Sequence, residues 1–386
     1  CRGGRFAYFA QFGSGSSYGF GPNGNLVYGI RETLLGSDKL TWEKSYKTNI
    51  GLEMMLWGKL NLTLDYYWER RKDILIQRSS LPSMAGFDAS IYANMGEMDN
   101  KGVDANLEYQ TRIGNKVGLR LFGNLTYSKN KIVFRDEPAM QYAYQKSEGT
   151  RYGEFYGYIA EGYFQSEEEI KKSPRQMREL APGDIKYKDL NDDGVIDAND
   201  QCYLGKSWFP SWSYGMGFNI NYHNFDLALF FQGVSDVSIM ANGGSIDTGN
   251  GDWGASGVGI VPFTGMGLNP SNVITKALDR WTADNPRADA WYPRMTANAT
   301  TNDNNYVNST HWLKDGSYLR LKQASLGYTL ENKKLMDKGI EYLYFYLSGQ
   351  NLLTFSKFKL WDPELGSNGA KYPLSRMVTL GMRVSF

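Results

Sequence analysis

The sequence predicts an all-β chain, a transmembrane antiparallel β-barrel with long extracellular loops. Three observations carry this reading. Apolar and polar residues alternate with period two through many segments. These segments run to about ten residues, the length a tilted strand needs to cross a bilayer. Their connections alternate short and long, and Tyr, Trp and Phe gather at their ends, where amphipathic rings suit the headgroup zone.

The elements follow in order. RFAYFAQFG, about residues 4 to 13, reads as a first strand. Ile50, Leu52, Met54 and Leu56 share one face, and a tight turn at Trp57 to Lys59 leads to Leu60, Leu62, Leu64, Tyr66 and Trp68. Val103, Ala105, Leu107 and Tyr109 alternate with Gly102, Asp104, Asn106 and Glu108. Val117, Leu119, Leu121, Leu125 and Tyr127 oppose Arg120, Asn124 and Thr126. Tyr214, Met216, Phe218, Ile220 and Tyr222 lead through a turn at His223-Asn224 to Phe225, Leu227, Leu229 and Phe231. Residues 317–330 and 341–354 read as two more strands, and MVTLGMRVSF as the last.

The short connections are 57–59, 110–116, 223–224 and 331–340, and the long ones 72–99, 130–212, 235–316 and 355–375. Counting back from Phe386 as a periplasmic end puts every long connection outside, provided FYGYIAEGYF (155–164) is not a span. That gives nine clear spans and a tenth near the start. An open sheet cannot sit in lipid, because its edge N–H and C=O groups would be unpaired. Either ten strands close a small barrel or these belong to a larger one.

Composition narrows the classes. Lys plus Arg is 42 and Asp plus Glu 41, so the net charge of +1 gives no basic face for nucleic acid. No run approaches about 18 apolar residues, which excludes a helical membrane protein. Cys1 and Cys202 are too far apart for metal-ligand spacing, and there are only two His. CRGGRFAYF is not a signal peptide; Cys1 could carry a lipid, but the better reading is a chain that starts mid-protein. No G-x-S-x-G, Cys–His pairing or H-E-x-x-H is present, so no enzyme is expected.

One polar segment stands apart. In DLNDDGVIDAND, Asp189, Asn191, Asp193, Asp197 and Asp200 occupy positions 1, 3, 5, 9 and 12 of a calcium loop. Gly194 supplies the turn at position 6, and Val195 a carbonyl at position 7. Ca²⁺ takes six to eight oxygens, which this set provides. Position 12 is Asp rather than Glu, as in dockerin-type loops. The plainer reading is an Asx-rich turn without an ion. The expectation is a structural Ca²⁺ that stiffens the barrel mouth.

Loop aromatics are the candidate ligand contacts: Trp208 and Trp212 after the calcium loop, and Trp253, Trp281, Trp291 and Tyr292 in the longest connection. Their rings can stack on sugars or grip peptide side chains. The alternative is loop packing. QSEEEIKKSPRQMREL (165–180) reads as a short surface helix, acidic first and basic later, as the helix dipole favours.

Several segments resemble the SusC/RagA family of TonB-dependent outer-membrane transporters of Bacteroidetes: LTWEKSYKTNIGLE (40–53), LDYYWERRKDILI (64–76), NMGEMDNKGVDANLEY (94–109), PGDIKYKDLNDDGVIDANDQ (182–201), YLRLKQASLGYTL (318–330), SGQNLLTFSKFKLWDPEL (348–365) and YPLSRMVTLGMRVSF (372–386). They occur in the family's order and cover nearly the whole chain. The resemblance implies about the last ten strands of a 22-stranded barrel, without the N-terminal plug. It implies a SusD-like surface lipoprotein as lid, TonB as energy source, and uptake of oligosaccharides or peptides. It also implies that Phe386 ends an outer-membrane assembly signal. The alternatives are a self-contained small barrel, or a soluble or surface all-β carbohydrate-binding protein with a dockerin-like calcium loop.

Overall fold

The computed structural model describes residues 8–21, 24–80, 90–114, 116–242, 274–295, 304–337, 339–369 and 371–386. The strands in the first third are β1 (Gln11–Phe20), β2 (Asn25–Leu35), β3 (Lys44–Leu56), β4 (Leu60–Gln77), β5 (Ser90–Ile113) and β6 (Val117–Phe134). Four short strands follow: β7 (Glu154–Gly157), β8 (Ala160–Tyr163), β9 (Ile185–Tyr187) and β10 (Cys202–Ser207). Then come β11 (Trp212–Tyr222), β12 (Phe225–Ser235), β13 (Ser238–Met240), β14 (Leu313–Asp315), β15 (Tyr318–Leu330), β16 (Tyr342–Ser356) and β17 (Met377–Ser385). The chain divides into two compact units, and β3 to β6 contribute residues to both.

The first unit holds Cys1–Asn49, Tyr67–Lys101 and Lys129–Tyr152. Its β1–β2 hairpin turns where Gly21 and Gly24 adopt left-handed backbone, φ 75° and 61°. Sequence reading expected one strand at residues 4 to 13. Residues 1–7 lie outside those described, β1 begins at Gln11, and β2 is a further strand. The Gly/Ser-rich QFGSGSSYGF has low strand propensity and forms by pairing with β2, with two register shifts. The connection expected over 72–99 is also shorter, because β4 runs on to Gln77 and β5 starts at Ser90. Charged pairs zip this extension together. Arg70 forms a bidentate fork with Asp99, both bonds 2.6 Å, and Lys44 meets Asp73 at 2.8 Å.

The second unit holds Ile50–Tyr66, Gly102–Ser128 and Gly153–Phe386. Its strands lie in the order β5-β6-β11-β12-β15-β16-β17. The pairs from β6 to β17 are antiparallel. β3 and β4 join through Trp57 and Gly58, at φ 54° and 62°, a type I′ geometry that matches strand twist. The nine expected spans are all present as β3, β4, β5, β6, β11, β12, β15, β16 and β17. Residues 155–164 are not a strand of the large sheet: β7 pairs β10 and β8 pairs β9, in two separate two-stranded sheets.

Register sorts the side chains into rows. Leu119, Ile220, Leu227, Leu326, Leu347 and Leu380 stand in one cross-strand row. Leu326, Leu347 and Leu380 are 47, 48 and 80% exposed, so this face is an outer surface and not the inside of a sandwich. The row Tyr222, Phe225, Tyr328 and Phe345 lies at the short-turn end, with the Phe225 and Tyr328 rings 4.7 Å apart. At the other end Tyr127 and Trp212 pair at 4.4 Å. Trp212 and Tyr222 are separated by about 33 Å along β11, at about 3.3 Å per residue. A tilt near 40° projects this to about 25 Å, the height of the apolar band of an outer-membrane barrel.

The opposite face is polar. Glu108 pairs with Arg120 at 2.7 Å, Tyr344 donates to Asp226 at 3.0 Å, and Arg383 lies 5.8 Å over the Tyr344 ring.

The long connections of the second unit build a cap with its own core. Phe155, Tyr158, Tyr163, Ile185, Ile196, Trp281, Tyr292 and Trp312 are buried together. Each large side chain so buried contributes about 2–3 kcal/mol. Irregular buried backbone needs partners, and Asn and Gln side chains supply them. Gln176 donates to the Ile185 carbonyl at 2.9 Å and accepts from the Tyr187 N–H at 2.7 Å. Asn305 accepts from the Ile185 N–H at 2.9 Å and donates to Asp184 at 2.8 Å. Arg294 pairs with Asp184 at 2.6 Å. Gly183 sits at φ 91° under Trp281, where a Cβ would overlap the indole.

The surface helix expected within 165–180 is α1 (Glu167–Lys172). The Ser166 side chain accepts from the Glu169 N–H at 3.2 Å, three Glu fill the first turn, and Lys171 and Lys172 the last. It ends at Ser173, which precedes a proline and is extended.

Candidate ligand-binding site

A cavity of about 860 Å³ opens in the cap. Three separate stretches of chain wall it. The 3₁₀ turn Thr275–Leu278 brings Lys276, β14 brings Lys314 and Asp315, and the segment after β16 brings Lys357, Lys359 and Trp361. Trp291 completes the wall. Four lysines and one carboxylate give 4 − 1 = +3 around the cavity. Lys276 is shared with Asp279 at 2.8 Å.

Both indoles are fixed. Trp291 meets Tyr292 and Trp312 edge-on at 4.6 and 5.3 Å, and its carbonyl lies 3.1 Å from His311 Nε2. Trp361 donates Nε1–H to the Gly366 carbonyl at 2.8 Å and is braced by Phe358 at 4.7 Å. Lys314 Nζ donates to the His311 carbonyl at 2.6 Å and lies 5.4 Å over the Trp291 ring. Burial, followed by repulsion from Lys276, holds the Lys314 ammonium below its ordinary value. His311 is pushed down to about 4 by burial and by Lys314, and so is neutral at pH 7.

A second cavity of about 290 Å³ lies between Trp208, Pro210, Tyr318, Pro363 and Glu364. Beside it Arg320, 1% exposed, donates to Asp362 at 2.6 Å and to Glu364 at 2.7 Å. This triad clips the 355–375 connection to β15.

The expected ligand aromatics separate into four fates. Trp208 and Trp291 line cavities. Trp281 and Tyr292, 6% and 0% exposed, are buried in the cap core and line neither cavity. A connection this long folds around its own aromatics, which corrects the expectation for both. Trp212 is also corrected: it opens β11 on the outer apolar face, in the aromatic belt. Trp253 lies outside the described residues. Sequence reading missed Lys276, Lys314, Lys357, Lys359 and Trp361. The one local signal was KFKLW (357–361), where Lys alternates with aromatic and aliphatic residues past a strand end.

The 189–200 loop turns through its own side chains. Asp189 accepts from the Asp192 and Gly194 N–H groups at 2.7 and 2.8 Å, and Asp193 from the Val195 N–H at 2.9 Å. Asp197 accepts from the Asn199 N–H at 2.7 Å. Gly194 adopts φ 80°, as the sharp turn requires. Asp200 is fully buried and accepts from the Leu190 and Asp197 N–H groups, both at 2.8 Å. Ile196 anchors the loop in the cap core. Among the described residues no three His, Cys, Asp or Glu side chains are placed as a metal-binding group.

Residues 5–352 match the family model for the TonB dependent receptor-like β-barrel. TonB-dependent receptor P3 of Formosa agariphila is 28% identical, across 93% of this chain and 36% of its own length. TonB-dependent receptor SusC of Bacteroides thetaiotaomicron is 23% identical, across 99% of this chain and 36% of its own. The chain thus spans just over a third of these relatives. The fold is similar to that of the RagAB peptide importer in its closed-closed state, with a TM-score of 0.70 at 23% identity, covering 99% of this chain and 39% of that one. The chain belongs to the TonB-dependent receptor β-barrel family and is an outer-membrane protein.

Proposed function

We propose that this chain forms part of the path of a SusC-like nutrient importer, energised through TonB and covered by a SusD-like surface lipoprotein. The observation that carries the reading is the cap. The connections after β6 and β12 leave the same end of the sheet and fold into one aromatic core with a cavity in its wall. Placed outside the cell, such a cap meets solute before the polar face of the sheet does. The cargo is an oligosaccharide or a peptide. The name of SusC and the importer role of RagAB support this by kinship alone.

Two measurements test it together. A tagged full-length protein, solubilised in mild detergent, is expected to co-purify with a surface lipoprotein. Cells lacking the gene are expected to lose uptake of labelled oligomers, with recovery on complementation. Unchanged uptake with no lipoprotein partner would refute the reading.

We also propose that the 189–200 loop takes a structural Ca²⁺. Asp189, Asn191, Asp193 and Asp197, with the Val195 carbonyl, form an all-oxygen set suited to a hard cation. Each carboxylate offers about four lone-pair positions, so one that accepts a backbone N–H can still ligate. Asp200 would have to share its oxygens with Leu190 and Asp197. Calcium would tie the turn to the Ile196 anchor. Titration calorimetry of the full-length protein, with and without Asp193→Ala, decides it: no heat with wild type removes the ion.

A further inference from the structure

We propose that the cavity between Trp291 and Trp361 is a subsite for an acidic sugar, a carboxylated or sulfated unit of an oligosaccharide. This deepens the importer reading and rests on it.

Charge is the first argument. Lys314, Lys357 and Lys359 approach from two separate segments and face one space. Asp279 meets the Lys276 charge and Asp315 opposes part of the rest, yet the wall remains cationic. Lys314 is half-buried beside Lys276, so its ammonium is poorly solvated and repelled. An anion in the cavity relieves both penalties at once. Lysine ammoniums are point donors with three rotatable N–H bonds, which suits the divergent oxygens of carboxylate or sulfate.

Shape is the second argument. The cavity lies in the upper part of the size range for small-molecule sites, too large for a lone ion and sufficient for a short oligomer. Two flat indoles border it, and both are already immobilised by their neighbours. Gly369 packs against the Trp361 ring, where a Cβ would not fit. Such preset aromatic faces take the C–H face of a sugar at little entropic cost.

The third argument favours sugar over peptide. An extended peptide is commonly held by adding a strand to a free sheet edge. Here the wall strand β14 is only three residues long and has one edge taken by β13, through Ser238 to Asp315, Ile239 to Lys314 and Met240 to Leu313, which is too short a template to hold an extended peptide by strand addition.

The test uses the full-length protein in detergent. Four probes of equal length are titrated: an oligogalacturonate, a sulfated oligosaccharide, a neutral oligosaccharide and an oligoglutamate. The expected result is that an acidic sugar binds at least about tenfold tighter than the neutral one, and that raising the salt narrows the gap. The two acidic arms show which anion is preferred. Charge reversal at the exposed Lys357 and Lys359, as K357E/K359E, is expected to abolish that preference. Its heat-modifiable gel mobility should stay that of wild type. Lys314→Gln is expected to weaken binding of the acidic sugar and leave the neutral one unchanged. Equal binding of acidic and neutral sugars, or an acidic preference that survives K357E/K359E, overturns the subsite. Tighter binding of oligoglutamate assigns the cavity to peptides and overturns the sugar. Uptake in cells with and without TonB is measured separately. Acidic-sugar binding without TonB-dependent uptake refutes the importer and spares the subsite, whereas uptake without charge preference does the reverse.

Discussion

Removing the guanidinium of Arg320 is expected to release the 355–375 connection while the strands remain intact. Arg320 starts on β15, is 1% exposed, and joins Asp362 and Glu364 by bonds of 2.6 and 2.7 Å. Arg320→Ala leaves two carboxylates facing each other without their cation. Breaking a buried ion pair from one side costs about 3–5 kcal/mol. The carboxylate side chains keep 17% and 29% exposure, so water reaches them once the arginine is gone. The lower figure therefore applies, about 3 kcal/mol, or roughly a hundredfold in the opening equilibrium of the connection. Limited proteolysis of the full-length protein in detergent, read at residues 357–371, measures that opening. A second variant isolates the cause. Arg320→Met combined with Asp362→Asn and Glu364→Gln removes all three charges and should recover most of the loss, because an uncharged replacement of similar volume leaves no orphaned ion. Protection of Arg320→Ala equal to wild type, or a triple variant as open as the single one, would refute the reasoning.

Three further outcomes are expected. His311 titrates at about 4 in the cap against 6.5 for an ordinary imidazole, so the unfolded cap binds more protons between those values. Cap stability is then complete above about pH 6.5 and falls as pH drops towards 4, by about 3 kcal/mol; Trp312 fluorescence, 4.7 Å from the imidazole, reports it, and a flat profile rejects it. Gly183→Ala should loosen the cap, since φ 91° and the Trp281 indole both exclude a Cβ, and near-ultraviolet dichroism unchanged from wild type would contradict this. Leu121→Arg, on the outer face near mid-membrane, should cost about 2–4 kcal/mol in lipid folding titrations, whereas Ser325→Arg on the polar face should cost far less; equal costs would mean the faces are misassigned.

The sheet was largely legible in the sequence because a strand in lipid repeats one rule. Every second residue must be apolar, and the pattern survives without any knowledge of the partner strand. Leu119, Ile220 and Leu227 could be placed on one face before their neighbours were known. β2 was lost because its partner β1 is Gly/Ser-rich and shows no alternation. The upper ends of β4 and β5 were lost because ion pairs such as Arg70–Asp99, and not apolar faces, hold them.

The site was hardly legible, and the reason is again physical. In an irregular connection burial has no period, so Trp281 and Trp291 look alike in sequence. One ends in the core and the other in a cavity wall because the backbone turns between them, where Trp281 N–H meets the Tyr292 carbonyl at 2.9 Å. The lysines come from three stretches spread over 83 residues, from 276 to 359, and each alone is an ordinary solvated charge. What makes them a site is the cap core that draws β14, the 275–278 turn and the segment after β16 together. That core depends on buried amides such as Gln176 and Asn305 to satisfy backbone that no sheet reaches. A change that empties the amide network should therefore weaken ligand binding from a distance, although none of those side chains lines the cavity.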